Sequence, residues 1–334
     1  MPDKPIVLLL GKIEHAHDAW SAISELARVI EPTAADRDAF MAESRSGAFD
    51  GALVAYRTLE SVDVTGRIDA ELLDALPRSL AFLCHNGAGY DQVDVAACTA
   101  HGVRVSNTPT AVDDATADLT MWLLLGALRN LPTSMAALRA GTWRGNPPPA
   151  LGRDPQGKVL GILGMGGIGR NVARKARAFG MTVRYHNRSP LDPGLEDGAE
   201  YVGFETLLRE SDVLSLNLPL NAHTRHTISV PQFAMMKPGI VIVNTARGAV
   251  MDEAALVDAL DSGRVASVGL DVYEDEPEIH PGLLANQSVL LVPHMGTWTK
   301  ETQTKMEEWA ISNVRMALTD AKLRSIVPEQ RDMA

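Results

Sequence analysis

The chain has 334 residues, a length typical of about two domains, and its 46% hydrophobic and 22% charged residues exclude a disordered or fibrous protein. Its 42 acidic residues exceed its 31 basic ones, and the net charge of -11 disfavours nucleic acid and anionic membranes as partners. The two cysteines, Cys84 and Cys98, form no CxxC pair, which excludes a disulfide scaffold and predicts a reduced, cytoplasmic compartment.

Short apolar runs recur along the chain, beginning with Ile6–Leu10, which is too short for a signal-peptide core or a membrane span. They alternate with segments of helix length, the pattern of parallel sheets covered by crossover helices. The sequence therefore predicts an α/β fold. Ten strands are predicted, at Ile6–Leu10, Leu53–Tyr56, Leu80–Cys84, Val103–Val105, Val159–Leu163, Thr182–Tyr185, Val213–Leu216, Ile240–Val243, Val265–Gly269 and Val289–Val292.

Helix signals lie between these runs. One helix is predicted from Asp113 to Leu131 and another from Gly169 to Phe179, and helical spacing returns after Pro293. The chain is broken near Pro109 and by a proline-rich stretch over 144–155. One α/β unit is therefore predicted to begin near residue 157, and the residues alone leave open which domain the helix after Asp114 joins.

A glycine-rich loop follows the predicted strand Val159–Leu163. Gly164, Gly166 and Gly169 form a GxGxxG pattern, which alone is also typical of a plain turn. Its place between a strand and a helix favours a dinucleotide site, since the three glycines permit a tight turn, backbone approach to a pyrophosphate and close helix packing.

The end of the next strand bears on the identity of the dinucleotide. An acid is expected about 20 residues beyond the glycines to bind the ribose hydroxyls of NAD. Asn187 stands there instead, and Arg188 and Ser189 follow with groups suited to a phosphate. A solvated polar turn is the alternative. The sequence predicts that NADP(H) is preferred and that NAD(H) can also bind.

Three polar segments follow late apolar runs, at the strand ends where ligands of parallel sheets bind. They carry Arg247, Glu276 and His294. Taken singly, these residues have ordinary alternatives: a surface arginine, one charge of a solvated acidic run and a core histidine. The nine histidines show no spacing with cysteines or acids that supports a metal site, and none is predicted.

Together these side chains supply what reduction of a carbonyl needs. A histidine donates a proton near neutral pH, a carboxylate favours its protonated form, and an arginine matches a substrate carboxylate. A 2-oxo acid presents both a carbonyl and a carboxylate. The predicted partner is therefore a small 2-oxo or 2-hydroxy acid.

The segments GMGGIG, NTARG, GLDVYEDEP and PHMGT, in this order and spacing, resemble the D-isomer-specific 2-hydroxyacid dehydrogenase family over nearly the whole chain. HNGAGYDQVDVAAC, SNTP and VDDATAD resemble its fungal glyoxylate/hydroxypyruvate reductase branch. The resemblance implies two doubly wound, Rossmann-like parallel-sheet domains. A flavodoxin-like substrate-binding domain is expected over residues 1–109 and 299–334, and an inserted NAD(P)-binding Rossmann domain, with the helix after Asp114, over 110–298.

The resemblance also implies roles for single residues. Arg247 would bind the substrate, Glu276 would partner the histidine, and His294 would contact the substrate as general acid. The backbone amides of Ala88 and Gly89 would hold the substrate carboxylate, although their loop is also typical of a plain turn. Besides the residues named above, the implied cofactor-binding positions are Thr116, Gly167, Ile168, Leu218, Pro219, Thr224, Thr245, Ala246, Asp271 and Gly296.

We therefore expect an NADPH-preferring reductase of glyoxylate or hydroxypyruvate. The alternatives are a D-2-hydroxyacid dehydrogenase for bulkier aromatic acids such as mandelate, and a dinucleotide-sensing protein like the C-terminal binding protein corepressors. Glu276 stands where formate dehydrogenases carry glutamine, which argues against formate oxidation. Trp298 is expected to pack or to narrow the pocket. The resemblance implies a homodimer, with Trp143 as an interface anchor or a contributor to the partner's site.

Overall fold

Twelve strands and fifteen α-helices form within residues 4–333, the part of the chain described by this computed structural model. The strands are β1 Ile6–Leu10, β2 Arg28–Ile30, β3 Ala52–Arg57, β4 Phe82–His85, β5 Arg104–Ser106, β6 Val159–Leu163, β7 Thr182–His186, β8 Glu200–Tyr201, β9 Val213–Leu216, β10 Ile240–Asn244, β11 Val265–Leu270 and β12 Val289–Leu291.

The helices lie mainly in the connections between consecutive parallel strands. They are α1 His17–Ser21, α2 Ile23–Leu26, α3 Arg37–Arg45, α4 Val62–Thr65, α5 Ala70–Ala75, α6 Val95–Ala100, α7 Asp113–Leu128, α8 Leu131–Arg139, α9 Gly167–Ala178, α10 Pro193–Glu196, α11 Phe204–Glu210, α12 Val230–Met235, α13 Glu253–Asp261, α14 Pro281–Ala285 and α15 Lys300–Asp320, with short 3-10 turns at Leu59–Ser61, Gly248–Val250 and Pro328–Met333.

The chain divides into two compact units, and the first contains the segments up to Val112 and from Thr299 onward. Its five strands are all parallel in the order β2-β1-β3-β4-β5. This is the flavodoxin-like order, in which ligands bind beyond the carboxyl ends of the strands. Arg57 and His85, which end β3 and β4, are paired in register at that edge.

The second unit runs from Asp113 to Trp298, close to the 110–298 expected for the inserted domain. Its seven parallel strands have the order β12-β11-β10-β9-β6-β7-β8. Six of them follow the dinucleotide-binding order, and β12 extends the sheet. The order reverses between β6 and β9, which places the glycine loop at the switch point.

The predicted fold class, with two doubly wound parallel sheets, is confirmed. All ten predicted strands are present. The two without a prediction, β2 and β8, are edge strands of three and two residues, and each begins with a charged residue, so neither forms a continuous apolar run.

The predicted helix to Leu131 is wrong at its end. Helix α7 stops at Leu128, because Asn130 adopts a left-handed conformation with φ of 50° and Leu131-Pro132 begin a new helix, α8. The second predicted helix begins earlier than expected, since Gly167 already lies in α9.

Helix α7 packs directly on the second sheet. A Cβ on Gly269 of β11 would lie 2.8 Å from Cβ of Leu123 in α7, so only glycine permits this close approach. The first sheet is covered on one side by α15, whose Ala310 and Val314 are fully buried. No helix within residues 4–333 is long and apolar enough to cross a membrane.

Candidate active site

The glycine loop joins β6 to α9, and its glycines have different surroundings. A Cβ on Gly164, whose φ is 100°, would lie 2.6 Å from the carbonyl oxygen of Asn217, and one on Gly169 would lie 2.4 Å from the carbonyl oxygen of Gly164. A Cβ on Gly166 would meet nothing within 4 Å. Gly166 therefore leaves open space at the N-terminus of α9, where N–H groups lack intrahelical acceptors. Open space beside such donors fits the pyrophosphate of a dinucleotide.

The loop after β7 closes over the glycines. The N–H of Met165 donates to Oδ1 of Asn187 at 2.7 Å, so the residue in place of an acid is a structural acceptor. Arg188 and Ser189 are exposed and have no hydrogen bond or ion pair within residues 4–333. No carboxylate of this part of the chain therefore neutralises Arg188.

A second loop after β9 is closed by its own hydrogen bonds. The Thr224 hydroxyl donates to the carbonyl of Pro219 at 2.6 Å and accepts from the N–H of Asn221 at 2.8 Å. Leu218 precedes this turn, is partly buried and packs against the hydrophobic core of the second unit. The predicted residues of this loop thus form a preorganised turn at the switch point.

Buried threonines connect the start of α7 to the end of β10. Thr120 donates to the carbonyl of Thr116 at 2.8 Å, and its oxygen lies 2.8 Å from the hydroxyl oxygen of Thr245. Thr116 also borders Gly296, since a Cβ on that glycine would lie 3.4 Å from the Thr116 hydroxyl. Three predicted cofactor residues therefore lie together at one edge of the sheet.

The segment after β10 presents Arg247 through hydrogen bonds of Asn244. The Asn244 amide donates to the carbonyl of Arg247 at 2.9 Å and accepts from the N–H of Ala246 at 3.0 Å. A Cβ on Gly248 would lie 1.8 Å from the carbonyl carbon of Tyr273, so this backbone runs directly against the segment that carries Glu276.

His294 and Glu276 form the central polar pair. Nδ1 of His294 lies 2.8 Å from Oε2 of Glu276, whose other oxygen accepts from the N–H of Tyr273 at 2.9 Å. Burial would raise the pKa of Glu276, but the hydrogen bond and charge of His294, the Tyr273 N–H and the charge of Arg247 together lower it. The ionised carboxylate only accepts, so Nδ1 carries a proton. Nε2 is then the nitrogen directed toward a ligand.

Asp271 sets the backbone around this histidine. His294 has a φ of 53°, in the left-handed region, and its N–H donates to the carbonyl of Asp271 at 2.8 Å. The Asp271 carboxylate accepts from the N–H of Met295 and, at 2.8 Å, from that of Gly296. Burial raises the pKa of Asp271 to about 6. A residue predicted only as a cofactor contact thus also shapes the turn that carries the histidine.

In the first unit, the loop after β4 carries Ala88 and Gly89. The carbonyl of Ala88 accepts from the Asn107 side chain at 2.8 Å, and that of Gly89 lies 2.8 Å from Nε2 of His85. The N–H groups of Ala88 and Gly89 donate to no acceptor within residues 4–333. Two open backbone donors beside each other are suited to an anion.

The structure brings Arg247, Glu276 and His294 together at the ends of β10, β11 and β12. The predicted cofactor residues all lie in the second unit, on loops after its strands or in the first turns of α7 and α9, whereas Ala88 and Gly89 belong to the first unit. Those cofactor residues are Thr116, Gly164, Gly166, Gly167, Ile168, Gly169, Asn187, Arg188, Ser189, Leu218, Pro219, Thr224, Thr245, Ala246, Asp271 and Gly296.

Three residues that orient the site were missed from the sequence. Asn244, Tyr273 and His85 act through hydrogen bonds to neighbouring loops. Asn244 and His85 are the polar last residues of apolar strands, and that signal was available. The role of Tyr273 rests on its backbone N–H, which no side-chain pattern reveals.

Trp298, expected to pack or to narrow the pocket, is 66% exposed and so does not pack into the core of this chain. Trp143 is 71% exposed. Within residues 4–333, no group of three or more His, Cys, Asp or Glu side chains is arranged to hold a metal ion.

Comparison with known proteins identifies the chain's relatives. Residues 121–296 match the family described as D-isomer specific 2-hydroxyacid dehydrogenase, NAD binding domain. The chain is 54% identical to 4-methyl-2-oxopentanoate reductase A of Aspergillus oryzae over 98% of this chain and 99% of that protein.

Two solved structures are also similar. A glyoxylate reductase from Paecilomyes thermophila is 53% identical, with a TM-score of 0.96 over 99% of this chain and 100% of that one. The D-mandelate dehydrogenase of Rhodotorula graminis is 34% identical, with a TM-score of 0.92 over 98% of each chain. Family and enzyme class agree with the expectation from the sequence motifs. The chain therefore belongs to the D-isomer-specific 2-hydroxyacid dehydrogenases, NAD(P)-dependent oxidoreductases that act on the CH–OH group of 2-hydroxy acids.

Proposed function

We propose that this protein is an NADPH-preferring reductase that converts glyoxylate or hydroxypyruvate to the corresponding 2-hydroxy acid. The observation that carries the proposal is the 2.8 Å pair of His294 and Glu276 beside the Arg247 segment. The pair supplies a proton donor held in a defined orientation, and the arginine supplies a carboxylate-binding group.

When bound, the dinucleotide supplies the hydride that adds to the substrate carbonyl carbon. His294 donates the proton from Nε2 to the carbonyl oxygen as negative charge develops there. Glu276 holds the ring through Nδ1 and stabilises its positive charge. In the reverse direction the same nitrogen accepts the proton of the hydroxyl group.

Substrate binding is assigned to Arg247 and to the amide loop after β4. The Arg247 guanidinium binds the carboxylate and polarises the adjacent carbonyl. The open N–H groups of Ala88 and Gly89 bind carboxylate oxygen. We assign the dinucleotide-binding role to the second unit because the glycine loop lies there, and we name the first unit, with the amides of Ala88 and Gly89, the substrate-binding domain.

The preference for NADPH rests on the turn after β7. Asn187 brings no negative charge to this turn, and Arg188 is exposed without a carboxylate partner within residues 4–333. A guanidinium beside the Ser189 hydroxyl suits the 2′-phosphate of NADP(H), and NAD(H) binds more weakly in this proposal.

The second candidate is a D-2-hydroxyacid dehydrogenase for bulkier acids. Its support is the similarity to a D-mandelate dehydrogenase and to a 4-methyl-2-oxopentanoate reductase. The names of these two relatives refer to acids that are larger than glyoxylate.

One experiment tests both candidates. NADPH and NADH oxidation is followed with glyoxylate, hydroxypyruvate, phenylglyoxylate, 4-methyl-2-oxopentanoate and pyruvate. The highest kcat/KM with glyoxylate or hydroxypyruvate and NADPH is expected. The highest kcat/KM with a branched or aromatic acid would favour the second candidate, and no turnover of any 2-oxo acid would reject both.

We also propose a cytoplasmic homodimer. The apolar side chains of Leu131, Met135 and Leu138 are exposed at helical spacing along α8, and they supply an apolar surface for self-association.

The proposed cytoplasmic location rests on the cysteines. Cys84 and Cys98 are buried free thiols, which agrees with a reduced compartment.

A further inference from the structure

Arg57 is fully buried at the end of β3. Its Nε donates to the Ser61 hydroxyl at 3.2 Å, and one terminal nitrogen donates to the Gln92 side chain at 2.9 Å. Burial lowers its pKa to about 10, and the charges of Asp91 and Glu60 oppose that shift. The guanidinium is therefore charged at neutral pH. A buried charge is costly, so its retention calls for a role beyond packing.

His85, at the end of β4, joins this arginine to the loop that carries Ala88 and Gly89. Its Nδ1 lies 3.4 Å from Nη1 of Arg57, and its Nε2 lies 2.8 Å from the carbonyl oxygen of Gly89. An arginine only donates and a carbonyl only accepts. Nδ1 must therefore carry the lone pair and Nε2 the proton, which leaves the ring neutral.

The carbonyl oxygens of Gly87, Ala88 and Gly89 all face fixed donors. Gly87 accepts from the N–H of Thr108 at 2.9 Å and Ala88 from the Asn107 side chain at 2.8 Å, and Gly89 accepts from His85.

Each C=O in a trans peptide is antiparallel to the N–H of the following residue. The bonds from Thr108 and Asn107 therefore turn the N–H groups of Ala88 and Gly89 away from those donors. The bond from His85 fixes the adjoining peptide between Gly89 and Tyr90, so all three peptides of the loop are held.

A glycine permits this arrangement at position 87. A Cβ there would lie 2.5 Å from Nε2 of His85, so any side chain would displace the ring. The ring and the loop therefore pack in contact, and the position of one sets that of the other.

We propose that Arg57 and His85 are positioning residues for substrate carboxylate binding: Arg57 sets the tautomer of His85, and His85 holds the amide loop open toward the anion. Neither side chain touches the substrate. The inference rests on the proposed function, since it assumes that the amides of Ala88 and Gly89 bind a carboxylate.

Two substitutions at His85 separate positioning from packing. His85→Leu removes the donor to Gly89, and the KM for the best 2-oxo acid is expected to rise about tenfold or more, the effect of losing a hydrogen bond that organises a charged ligand. The KM for NADPH stays unchanged. His85→Gln restores an amide donor and an acceptor for Arg57, so its KM for the 2-oxo acid returns close to the wild-type value.

Arg57→Met tests the other partner, and relief of the buried charge favours folding of this variant. It is expected to raise the KM for the 2-oxo acid in the same way. Arg104→Met is the matched control, because the Arg104 guanidinium lies 4.2 Å from the centre of the Phe82 ring in the same sheet, and no hydrogen bond or ion pair joins its side chain to the loop within residues 4–333. An unchanged substrate KM in His85→Leu, or equal losses in His85→Leu and His85→Gln, would overturn the inference.

A spectroscopic measurement on the wild-type protein needs no variant. Side-chain ¹⁵N shifts of His85 are expected to show a protonated Nε2 and an unprotonated Nδ1. A protonated Nδ1 would overturn the inference even if the enzyme is fully active. Failure to reduce any 2-oxo acid rejects the proposed function, while the tautomer still shows whether Arg57 and His85 are arranged as inferred.

Discussion

In the proposed reaction His294 acts through Nε2, because its Nδ1 lies 2.8 Å from Oε2 of Glu276. The orientation of the ring is fixed by three features: the end of the strand, the left-handed backbone at His294 and the hydrogen bonds to Asp271. At the scale of single residues, function therefore depends on hydrogen bonds that orient a few groups.

Replacing His294 by Ala is expected to lower kcat by about 10²- to 10⁴-fold, since its proton is transferred in the transition state. NADPH affinity, measured by fluorescence titration, should stay near the wild-type value. The control is His101→Ala, which removes an imidazole paired with Asp74 in the first unit. A kcat equal to that of the control would exclude His294 as the acid.

Arg188→Ala should weaken NADPH binding much more than NADH binding, because only NADPH carries the 2′-phosphate. Dissociation constants for both cofactors measure the effect. Arg209→Ala serves as the control, since Arg209 is an exposed arginine paired with Glu205 on α11. Equal losses for both cofactors would contradict the assignment.

Asp271 gives a pH-dependent contribution to stability. Burial raises its pKa from 3.8 to about 6. Its contribution is therefore fully present below the unfolded value and is lost as the pH rises through the folded value. In the Asp271→Asn variant, the thermal midpoint should fall less than in the wild type as the pH is raised from 4 to 7.

Asp212 is a control of opposite sign. Burial would raise its pKa, but the N–H of Val159 and the ammonium of Lys237 lower it, so its contribution is lost as the pH falls. Asp212→Asn should leave the change in thermal midpoint between pH 4 and 7 as in the wild type. It should reduce the fall in thermal midpoint as the pH drops below 4. An unaltered slope in Asp271→Asn would show that Asp271 does not titrate in this window.

At the scale of elements, the junction of β6 and α9 contains one glycine that leaves room for a ligand, Gly166, and one that is needed for packing, Gly169. Gly166→Val adds a side chain into open space, so it should abolish most dinucleotide binding without lowering the thermal midpoint. Gly169→Val should lower both, because its Cβ meets the carbonyl of Gly164 at 2.4 Å. Calorimetry and cofactor titration measure the two effects. A destabilised Gly166→Val protein that still binds NADPH would reverse these roles.

Strands were predictable wherever burial on both faces leaves a continuous apolar run, as in β6 and β10. The edge strands β2 and β8 lack such a run. The end of α7 was mispredicted because Leu131 continues the apolar pattern, although Asn130 had already left the helical conformation.

At the scale of the whole molecule, the exposed face of α8 is the feature assigned to self-association. Leu138→Glu should convert a dimer into a monomer, as measured by light scattering after gel filtration, since a charge replaces apolar contact area. Leu284→Glu on α14 introduces the same charge at an exposed leucine elsewhere and should leave the dimer intact. A wild-type monomer would contradict the proposed dimer.

The net charge of -11 disfavours binding of polyanions, but it says little about binding of small anionic ligands. Such ligands meet a few local donors, such as Arg247 and the amides of the glycine loop, rather than the mean charge of the surface. The overall charge therefore indicates which classes of macromolecule are disfavoured as partners, whereas the local donors of the site indicate which small ligands can bind.

The sequence alone predicted the fold class and the family resemblance correctly, and it located the glycine loop and proposed roles for Arg247, Glu276 and His294. Those features depend on local patterns: apolar runs, glycine spacing and polar residues directly after strands. The hydrogen bonds of Asp271 to the turn of His294 and the contact of Arg57 with His85 became visible only in the folded chain. These contacts join residues distant in sequence, and their hydrogen bonds depend on strand order and loop geometry that no local pattern encodes.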